Sequence, residues 1–199
     1  MEDRNQRHIT RMQRKKAVVD AGIAAAQTER GLLLVHTGNG KGKSSAAFGL
    51  VARALGHGMR VAVIQFVKSR TDTGEEGFFR KQPNVDWHVM GEGFTWETQD
   101  RERDAAAARA AWEVAKRYLA DPAYGLVVLD EMTYALSYGW LQLDEVLTAL
   151  HVRPAMQHVV ITGRAASPAL IEAADTVTDM TLLKHAYKAG VQAMPGIEF

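Results

Sequence analysis

A glycine-rich segment between an apolar run and a helical pattern constrains the fold of this chain more than any other feature. It reads T-G-N-G-K-G-K-S over residues 37–44 and follows the apolar run Leu32–His36. Glycines let successive backbone N–H groups turn inward and form a nest for an anion. A helix that begins near Ser44 adds its free N–H groups and the positive end of its dipole at the same point. The segment therefore predicts a strand, a phosphate-binding loop and a helix in succession, which is the P-loop arrangement.

Each position of this loop has an expected role. Lys43 supplies a point charge to the phosphates, and the Ser44 hydroxyl is placed to bind Mg²⁺. The usual pattern begins with glycine where this chain has Thr37, so the turn is expected to depend on Gly38 and Gly40. For Lys41 the alternative to a phosphate contact is a solvated charge. The predicted nucleotide-binding residues of the loop and the turn after it are Thr37, Gly38, Asn39, Gly40, Lys41, Gly42, Lys43, Ser44 and Ser45.

Apolar runs alternate with helical patterns along the rest of the chain. Several runs are apolar throughout, as expected of strands buried on both faces, so they predict an α/β fold with a mostly parallel, open sheet. Residues 1–30 are predicted to form an N-terminal helix, and residues 31–199 a single domain. The predicted strands are Leu32–His36, Arg60–Val67, Val85–Met90, Leu126–Leu129, His158–Thr162 and Thr176–Leu182. The predicted helices are residues 5–29, Ser44–His57, Gln99–Leu119, residues 143–151 with an Asp144 cap, and one that starts at Ser167-Pro168, while residues 68–83 and 91–98 are predicted loops.

Two acidic residues follow the most clearly buried of these strands. Asp130 and Glu131 come directly after Leu126–Leu129. In parallel sheets ligands bind beyond the carboxyl ends of the strands, where a carboxylate can hold Mg²⁺ directly or through water. Acidic residues at strand ends are also commonly just solvated, but their pairing with a P-loop favours a metal site.

Composition narrows the class of protein. The chain has no cysteine, which excludes a disulfide framework, a thiolate zinc site and a cysteine nucleophile. The formal net charge of +1 gives no overall field that would recruit nucleic acid or acidic lipid. No apolar run approaches the roughly 18 residues that span a bilayer, and the first residues lack the apolar core of a signal peptide. We expect a cytoplasmic protein with neither a membrane nor a nucleic-acid partner.

Five further segments of the chain are distinctive and occur in this order: V-D-A-G-I-A-A-A-Q-T-E-R-G, A-A-F-G-L-V-A-R-A-L-G-H-G, G-F-T-W-E-T-Q-D-R-E, V-V-L-D-E-M-T-Y-A-L and K-H-A-Y-K-A-G-V-Q-A-M-P-G-I-E-F. Together with G-N-G-K-G-K-S they resemble the P-loop type of ATP:corrinoid adenosyltransferase, the cob(I)yrinic acid a,c-diamide adenosyltransferase family. The resemblance covers nearly the whole chain and implies a RecA-like P-loop fold. It also implies that Co(I) of a corrinoid attacks the 5′-carbon of ATP, so that a 5′-deoxyadenosyl group is transferred and tripolyphosphate is released.

The resemblance also implies roles for residues outside the loop. Because the whole triphosphate leaves, Lys43 and Mg²⁺ stabilise the charge that builds on it. The Co(I) nucleophile carries no proton, so Glu131 is expected to organise Mg²⁺, with Asp130 and Ser44, rather than to act as a base. Phe94 and Trp96 resemble the aromatic pair that covers the lower face of the corrin ring; the alternative is that both are core residues. Arg53 and Arg164 match arginines near the nucleotide; the alternative for each is a surface ion pair.

Partners and departures follow from the same resemblance. It implies ATP and a reduced corrinoid as substrates, Mg²⁺ or Mn²⁺ as the metal, a flavoprotein electron donor, a homodimer and an N-terminal helix that covers the active site. Ala165 stands where the family often has glycine after T-G-R.

The D-x-H-x-x-G pattern at Asp86–Gly91 is also found in proteins that ligate cobalt through histidine, but here His88 is interpreted as structural. The alternatives for the whole chain are a P-loop ATPase or kinase and a RecA-like module that binds nucleic acid.

Overall fold

The computed structural model describes residues 2–67, 73–91 and 100–198, with the side chains of residues 2 and 3 left aside. The chain divides into two compact units, Met1–Arg30 and Gly31–Phe199. The first unit holds one helix, α1, Glu2–Ala25, in which Lys16 forms an ion pair with Asp20 one turn later. None of the described helices is long and apolar enough to cross a bilayer.

The second unit is built on a six-stranded sheet in the order β3-β2-β4-β5-β1-β6. All five neighbouring pairs are parallel, which confirms the predicted α/β class. The strands are β1 Leu33–Thr37, β2 Arg60–Gln65, β3 Val85–Val89, β4 Tyr124–Asp130, β5 His158–Thr162 and β6 Thr176–Asp179. The helices are α2 Lys43–Gly56, α3 Gly74–Phe79, α4 Arg101–Ala120, α5 Met132–Ser137, α6 Leu143–His151 and α7 Pro168–Ala173, with a 3₁₀ turn at Ala186–Ala189.

Helices cover both faces of the sheet, and this explains why its central strands are mostly apolar. In β2, Ala62 and Ile64 belong to a core cluster that includes residues of α4, α5 and α6. Their neighbours Val61 and Val63 belong to a second cluster that includes residues of α2. Alternate side chains of a strand point to opposite faces, so a strand that is buried on both sides needs an unbroken apolar run.

The structure departs from the predictions mainly at short helices. Residues 68–83 were predicted as a loop, but α3 lies within them, because Thr73 provides an N-cap whose side chain accepts a hydrogen bond from the Glu76 N–H. Helix α5 follows Glu131 without any cap signal and was not predicted. The N-cap of α6 is Gln142 rather than Asp144, which lies inside the first turn, where its negative charge favours the helix dipole. The predicted start of α7 is confirmed, since Ser167 accepts a hydrogen bond from the Leu170 N–H.

The strand order brings three strand ends into one row. Strand β5 lies between β4 and β1, with Leu129 opposite Ile161 and His36 opposite Thr162. Because all three strands are parallel, their carboxyl ends meet at one edge of the sheet. The phosphate loop, the start of the β5–α7 connection and the two predicted acidic residues therefore share this edge.

Candidate active site

The loop between β1 and α2 has the geometry of an anion nest. Gly38 and Gly42 have φ angles of 94° and 108°, a region that residues with a side chain rarely adopt. Gly40 is needed for space instead, because a Cβ atom there would lie 2.5 Å from the carbonyl oxygen of Met180. The predicted turn therefore depends on Gly38 and Gly42, whereas Gly40 permits the close approach of the segment after β6.

Lys43 contacts the backbone of this loop through its side chain. It is the first residue of α2, only 6% exposed, and its Nζ donates hydrogen bonds to the carbonyl oxygens of Gly38 (2.9 Å) and Gly40 (2.6 Å). Burial lowers the pKa of the Lys43 ammonium, while the negative charge of Glu131 opposes this shift. The positive charge of Arg164 lowers the same pKa, so Glu131 and Arg164 both act electrostatically on Lys43. This arrangement places a cation where a phosphate would enter the nest.

The other loop residues divide between phosphate-facing and structural positions. Gly42 is the N-cap of α2 and offers no side-chain oxygen, so the first-turn N–H groups are suited to an anion. Ser44 is half-buried and Ser45 exposed in this first turn, and Asn39 is exposed in the loop. Thr37 is buried, and its Oγ1 accepts a hydrogen bond from the Ala166 N–H (3.2 Å), so its side chain holds the segment after β5.

Asp130 lies in a buried network of polar side chains. Its side chain is 0% exposed; one carboxylate oxygen accepts a hydrogen bond from Gln65 Nε2 and the other from Thr162 Oγ1, each at 2.8 Å. Trp87 Nε1 donates in turn to Gln65 Oε1 (3.1 Å), so four strands contribute to the network. This placement favours a supporting role for Asp130 rather than direct contact with a metal. The sequence contains one signal of the network that we did not use, namely a glutamine inside the apolar run R-V-A-V-I-Q-F-V.

Glu131 differs from Asp130 in its backbone conformation. Its φ of 58° is left-handed, and its N–H donates to Thr162 Oγ1 (2.8 Å) as α5 begins. A left-handed conformation is costly for a residue other than glycine and is enriched at functional sites. Burial and, second, the charge of Glu131 raise the pKa of Tyr134 one turn later. Both strand-end acids raise the pKa of Lys43 through their charge, and Glu131 does so more strongly than Asp130.

The two predicted arginines lie at different places. The Arg164 backbone is fixed by a hydrogen bond from Thr133 Oγ1 to its carbonyl oxygen (2.7 Å), and the exposed side chain belongs to the edge that holds Lys43. Arg53 lies in the last turn of α2, about 13 Å from Ser44 at 1.5 Å per residue. It lines an apolar pocket of about 290 Å³ with residues such as Leu50 and Met59. Arg53 is therefore separated from the phosphate loop by the length of α2, and its predicted place near the nucleotide stays a prediction.

Phe94 and Trp96 lie outside the described residues, so their predicted role stays a prediction. The flanking residues are described: a Cβ at Gly91 would lie 2.5 Å from the carbonyl carbon of Val67. On the other side, the Asp100 side chain caps α4 by accepting a hydrogen bond from the Arg103 N–H (3.0 Å). The predicted lower-face segment therefore connects the end of β3 to a capped helix.

His88 has the surroundings of a structural residue. It lies in β3 with its Nε2 2.7 Å from the Tyr118 hydroxyl, and burial lowers the pKa of its imidazole. In the described part of the chain, no group of three or more histidine, aspartate or glutamate side chains is placed to hold a metal ion. The interpretation of His88 as a structural residue agrees with this geometry.

Comparison with known proteins identifies the family. The model of the family "ATP:corrinoid adenosyltransferase BtuR/CobO/CobP" matches residues 29–199. The chain belongs to this ATP:corrinoid adenosyltransferase family. A second model, "Cob(I)alamin adenosyltransferase N terminal", matches residues 1–23.

Curated relatives agree with this assignment along their whole length. A corrinoid adenosyltransferase of Pseudomonas aeruginosa is 66% identical over 198 residues, which are 99% of this chain and 98% of that protein. Corrinoid adenosyltransferase CobA of Salmonella typhimurium is 49% identical over 195 residues, which are 98% of this chain and 99% of that protein. Among solved structures, the Pif1 helicase from Candida albicans aligns with a TM-score of 0.31 and 13% identity over 83% of this chain and 38% of the helicase, a likeness too weak to argue from.

The structure brings several of the predicted site residues of this adenosyltransferase family member to one edge of the sheet. Lys43, Ser44, Glu131 and Arg164 share one edge of the sheet, and Asp130 supports that edge from within. The features that sequence reasoning missed are the Gln65–Asp130–Thr162 network and the segment after β6 that closes on the loop. Polar residues at the ends of apolar strands were the available signal for the first, whereas the second depends on contacts between distant segments.

Proposed function

We propose that this member of the adenosyltransferase family transfers the 5′-deoxyadenosyl group of ATP to the Co(I) of a corrinoid and releases tripolyphosphate. The observation that carries the proposal is the buried ammonium of Lys43, which lies in an anion nest and within the field of Glu131 and Arg164. Family membership distinguishes this reaction from transfer of a γ-phosphoryl group, for which the same nest would serve.

In the proposed reaction an electron pair of Co(I) forms a bond to the 5′-carbon of ATP. The bond from that carbon to the α-phosphate oxygen breaks, its electron pair leaves with tripolyphosphate, and the cobalt becomes formally Co(III). Charge therefore builds on the triphosphate as it leaves. Lys43 and the loop N–H groups, with Arg164, bind that charge at fixed positions, which stabilises the transition state more than the substrate.

The donors at this edge fit the Mg²⁺ that the family implies. Mg²⁺ commonly binds one or two carboxylates together with substrate phosphates and retains several waters. The Ser44 hydroxyl and the Glu131 carboxylate are such donors, with Asp130 supporting the strand end through Thr162. When bound, Mg²⁺, or Mn²⁺ in its place, would supply positive charge to the departing tripolyphosphate. No base is required, because the nucleophile carries no proton.

The decisive experiment mixes the protein, Mg²⁺-ATP and chemically reduced corrinoid without oxygen and follows the cobalt spectrum. We expect a light-sensitive alkylcobalt product and one tripolyphosphate for each ATP consumed. Release of ADP and phosphate without an alkylcobalt product would indicate the alternative ATPase or kinase. Salt-sensitive binding to DNA or RNA would indicate the other alternative, since such binding depends on released counterions.

Phe94 and Trp96 are proposed to cover the lower face of the corrin ring and to exclude axial ligands. An axial donor opposes reduction to Co(I), so an apolar cover makes the electron transfer easier. Replacing both residues by alanine is expected to slow reduction of Co(II) corrinoid in the complex with Mg²⁺-ATP. An unchanged reduction rate, with ATP affinity retained, would remove this role from the proposal.

The proposal extends to partners that the fold does not reveal. We infer a flavoprotein as the electron donor, a homodimer as the assembly and the cytoplasm as the location. Light scattering of the purified chain tests the dimer directly. A mass equal to one chain at micromolar concentration would contradict it.

A further inference from the structure

The segment after β6 lies directly on the phosphate loop. The Met180 N–H donates to the carbonyl oxygen of Thr37 (2.9 Å), and the Met180 carbonyl accepts a hydrogen bond from the Gly40 N–H (2.5 Å). A Cβ at Gly38 would meet Asp179 Oδ1 at 2.1 Å, so the two segments are in close contact. Anything that moves the loop also acts on the chain that follows β6.

The end of the chain returns to the same loop. Lys41 Nζ donates a hydrogen bond to Glu198 Oε2, and the two side chains form an ion pair. The Glu198 backbone is held by its own turn, because its N–H donates to the carbonyl oxygen of Met194 (2.9 Å). A carboxylate is therefore fixed beside one of the two lysines of the phosphate loop.

This carboxylate lines a groove whose other residues are basic or uncharged. The groove has a volume of about 450 Å³, and its lining residues include Lys41, Lys184, His185 and Glu198. Glu198 is the single acidic residue among these lining residues. An anion bound at the loop would meet Lys41 and Lys184 as attractive groups and Glu198 as the repulsive one.

We propose that Glu198 is a positioning residue that competes with the triphosphate for Lys41 and so limits how tightly tripolyphosphate is held. This inference rests on the proposed function, in which tripolyphosphate is a product that must leave. The Lys41 ammonium has three N–H donors but a single positive charge, and the Glu198 carboxylate of the ion pair neutralises that charge in part and repels a phosphate beside it. Tripolyphosphate lacks the adenosine group of ATP, so the affinity of the loop for this product depends more strongly on the charges beside it.

The exposure of the pair makes the exchange easy. The Lys41 and Glu198 side chains are 49% and 24% exposed, and ion pairs this accessible to water contribute little to stability. Removing the Glu198 charge is therefore expected to tighten tripolyphosphate binding by about two- to fivefold at low salt. The effect should shrink near 1 M salt, where the screening length falls to about 3 Å.

The test measures tripolyphosphate binding by calorimetry, with Mg²⁺ and the full-length chain. Four proteins form a cycle: the unmodified chain, Glu198→Gln, Lys41→Met and the double variant. Glu172→Gln is the matched control, since it removes the same charge from an exposed side chain of α7. Circular dichroism confirms that each variant is folded.

We expect Glu198→Gln to tighten binding in the chain with Lys41 and to have no effect in the Lys41→Met background. Unchanged or weaker binding by Glu198→Gln would overturn the proposal. So would equal tightening in the Lys41→Met background or by Glu172→Gln, because the effect would then be one of general charge. The readout is equilibrium binding of tripolyphosphate, so a negative result here is separate from failure of the adenosyl-transfer assay.

Discussion

At the scale of single residues, two adjacent acids at the end of β4 have different surroundings. Asp130 is buried with both carboxylate oxygens hydrogen-bonded to side chains of β2 and β5. Glu131 turns into a left-handed conformation and acts electrostatically on Lys43. The two acids are adjacent in the sequence, but the backbone turns them into different surroundings. This suits Asp130 to a structural role and Glu131 to a role in the site.

This difference predicts that of two isosteric amide substitutions, one lowers mainly the stability of the fold and the other mainly the turnover. Asp130→Asn replaces a carboxylate oxygen by an amide that cannot accept from both partners, so the free energy of unfolding should fall by about 1–3 kcal/mol. Glu131→Gln keeps the backbone hydrogen bond to Thr162, so stability should change by about 0.5 kcal/mol or less. Turnover of Glu131→Gln should fall by about 10- to 100-fold, as for losses of metal-organising groups.

Urea unfolding and the adenosyl-transfer assay measure the two effects separately. Comparable loss of stability in both variants would contradict the division of roles. A Glu131→Gln variant with unchanged turnover at all Mg²⁺ concentrations would remove Glu131 from the metal site.

Ala165 provides a second prediction at this scale. It has a φ of 51°, which lies in the left-handed region that favours glycine. The steric cost for a non-glycine residue there exceeds the entropy that glycine loses on folding, so Ala165→Gly should raise the free energy of unfolding by about 0.5–1 kcal/mol. Ala169→Gly, in the nearby helix α7, is the control and should lower it by a similar amount, about 0.5–1 kcal/mol. Thermal or urea unfolding that shows destabilisation by Ala165→Gly would refute the strain argument.

At the scale of elements, the sequence was most informative where one signal determines one element. Short apolar runs predicted most of the six strands, and the bounds of β5 agree with the prediction. The sequence signal was weak where an element depends on its neighbours. Helix α5 follows β4 directly, and the side chain of its N-cap residue, Glu131, makes no capping hydrogen bond. Likewise, the loop glycines predicted a nest, but the separate need of Gly40 for space arises from Met180, which is far away in sequence.

The contact between the phosphate loop and the segment after β6 can be tested through glycine substitutions. Gly40→Ala would place a Cβ 2.5 Å from the Met180 carbonyl oxygen and 2.8 Å from that of Thr181, so loop and segment must move apart. We expect the Kd for Mg²⁺-ATP to rise by about tenfold or more, which corresponds to about 1.4 kcal/mol. Gly49→Ala in α2 has no atom within 4 Å of its new Cβ and should instead stabilise the fold by about 1 kcal/mol. If Gly40→Ala and the unmodified chain have equal ATP affinity, the loop and the segment after β6 can separate without weakening ATP binding.

At the scale of the whole molecule, the chain divides into two units, and the phosphate loop lies in the second. Every strand and the phosphate loop lie within Gly31–Phe199, so the residues that bind triphosphate belong to one unit. The first unit, which contains α1, has its own family model, "Cob(I)alamin adenosyltransferase N terminal". The fold of the second unit could be predicted from its strand pattern, whereas nothing in the periodicity of α1 says what that helix binds.

Deleting residues 1–25 tests the proposal that the N-terminal helix covers the active site during transfer. Because the anion nest and Glu131 lie in the second unit, the truncated chain should bind Mg²⁺-ATP with a Kd within about twofold of the full chain, a difference of about 0.4 kcal/mol. Use of the corrinoid should suffer more, with kcat/KM for reduced corrinoid reduced by about tenfold or more, since a cover that excludes water acts on the reacting cobalt and carbon atoms. Calorimetry gives the first quantity, and the anaerobic cobalt spectrum gives the second. Equal losses in ATP binding and corrinoid use would mean that the helix supports the fold of the second unit, and a comparison of urea unfolding curves would then show a lower midpoint for the truncated chain.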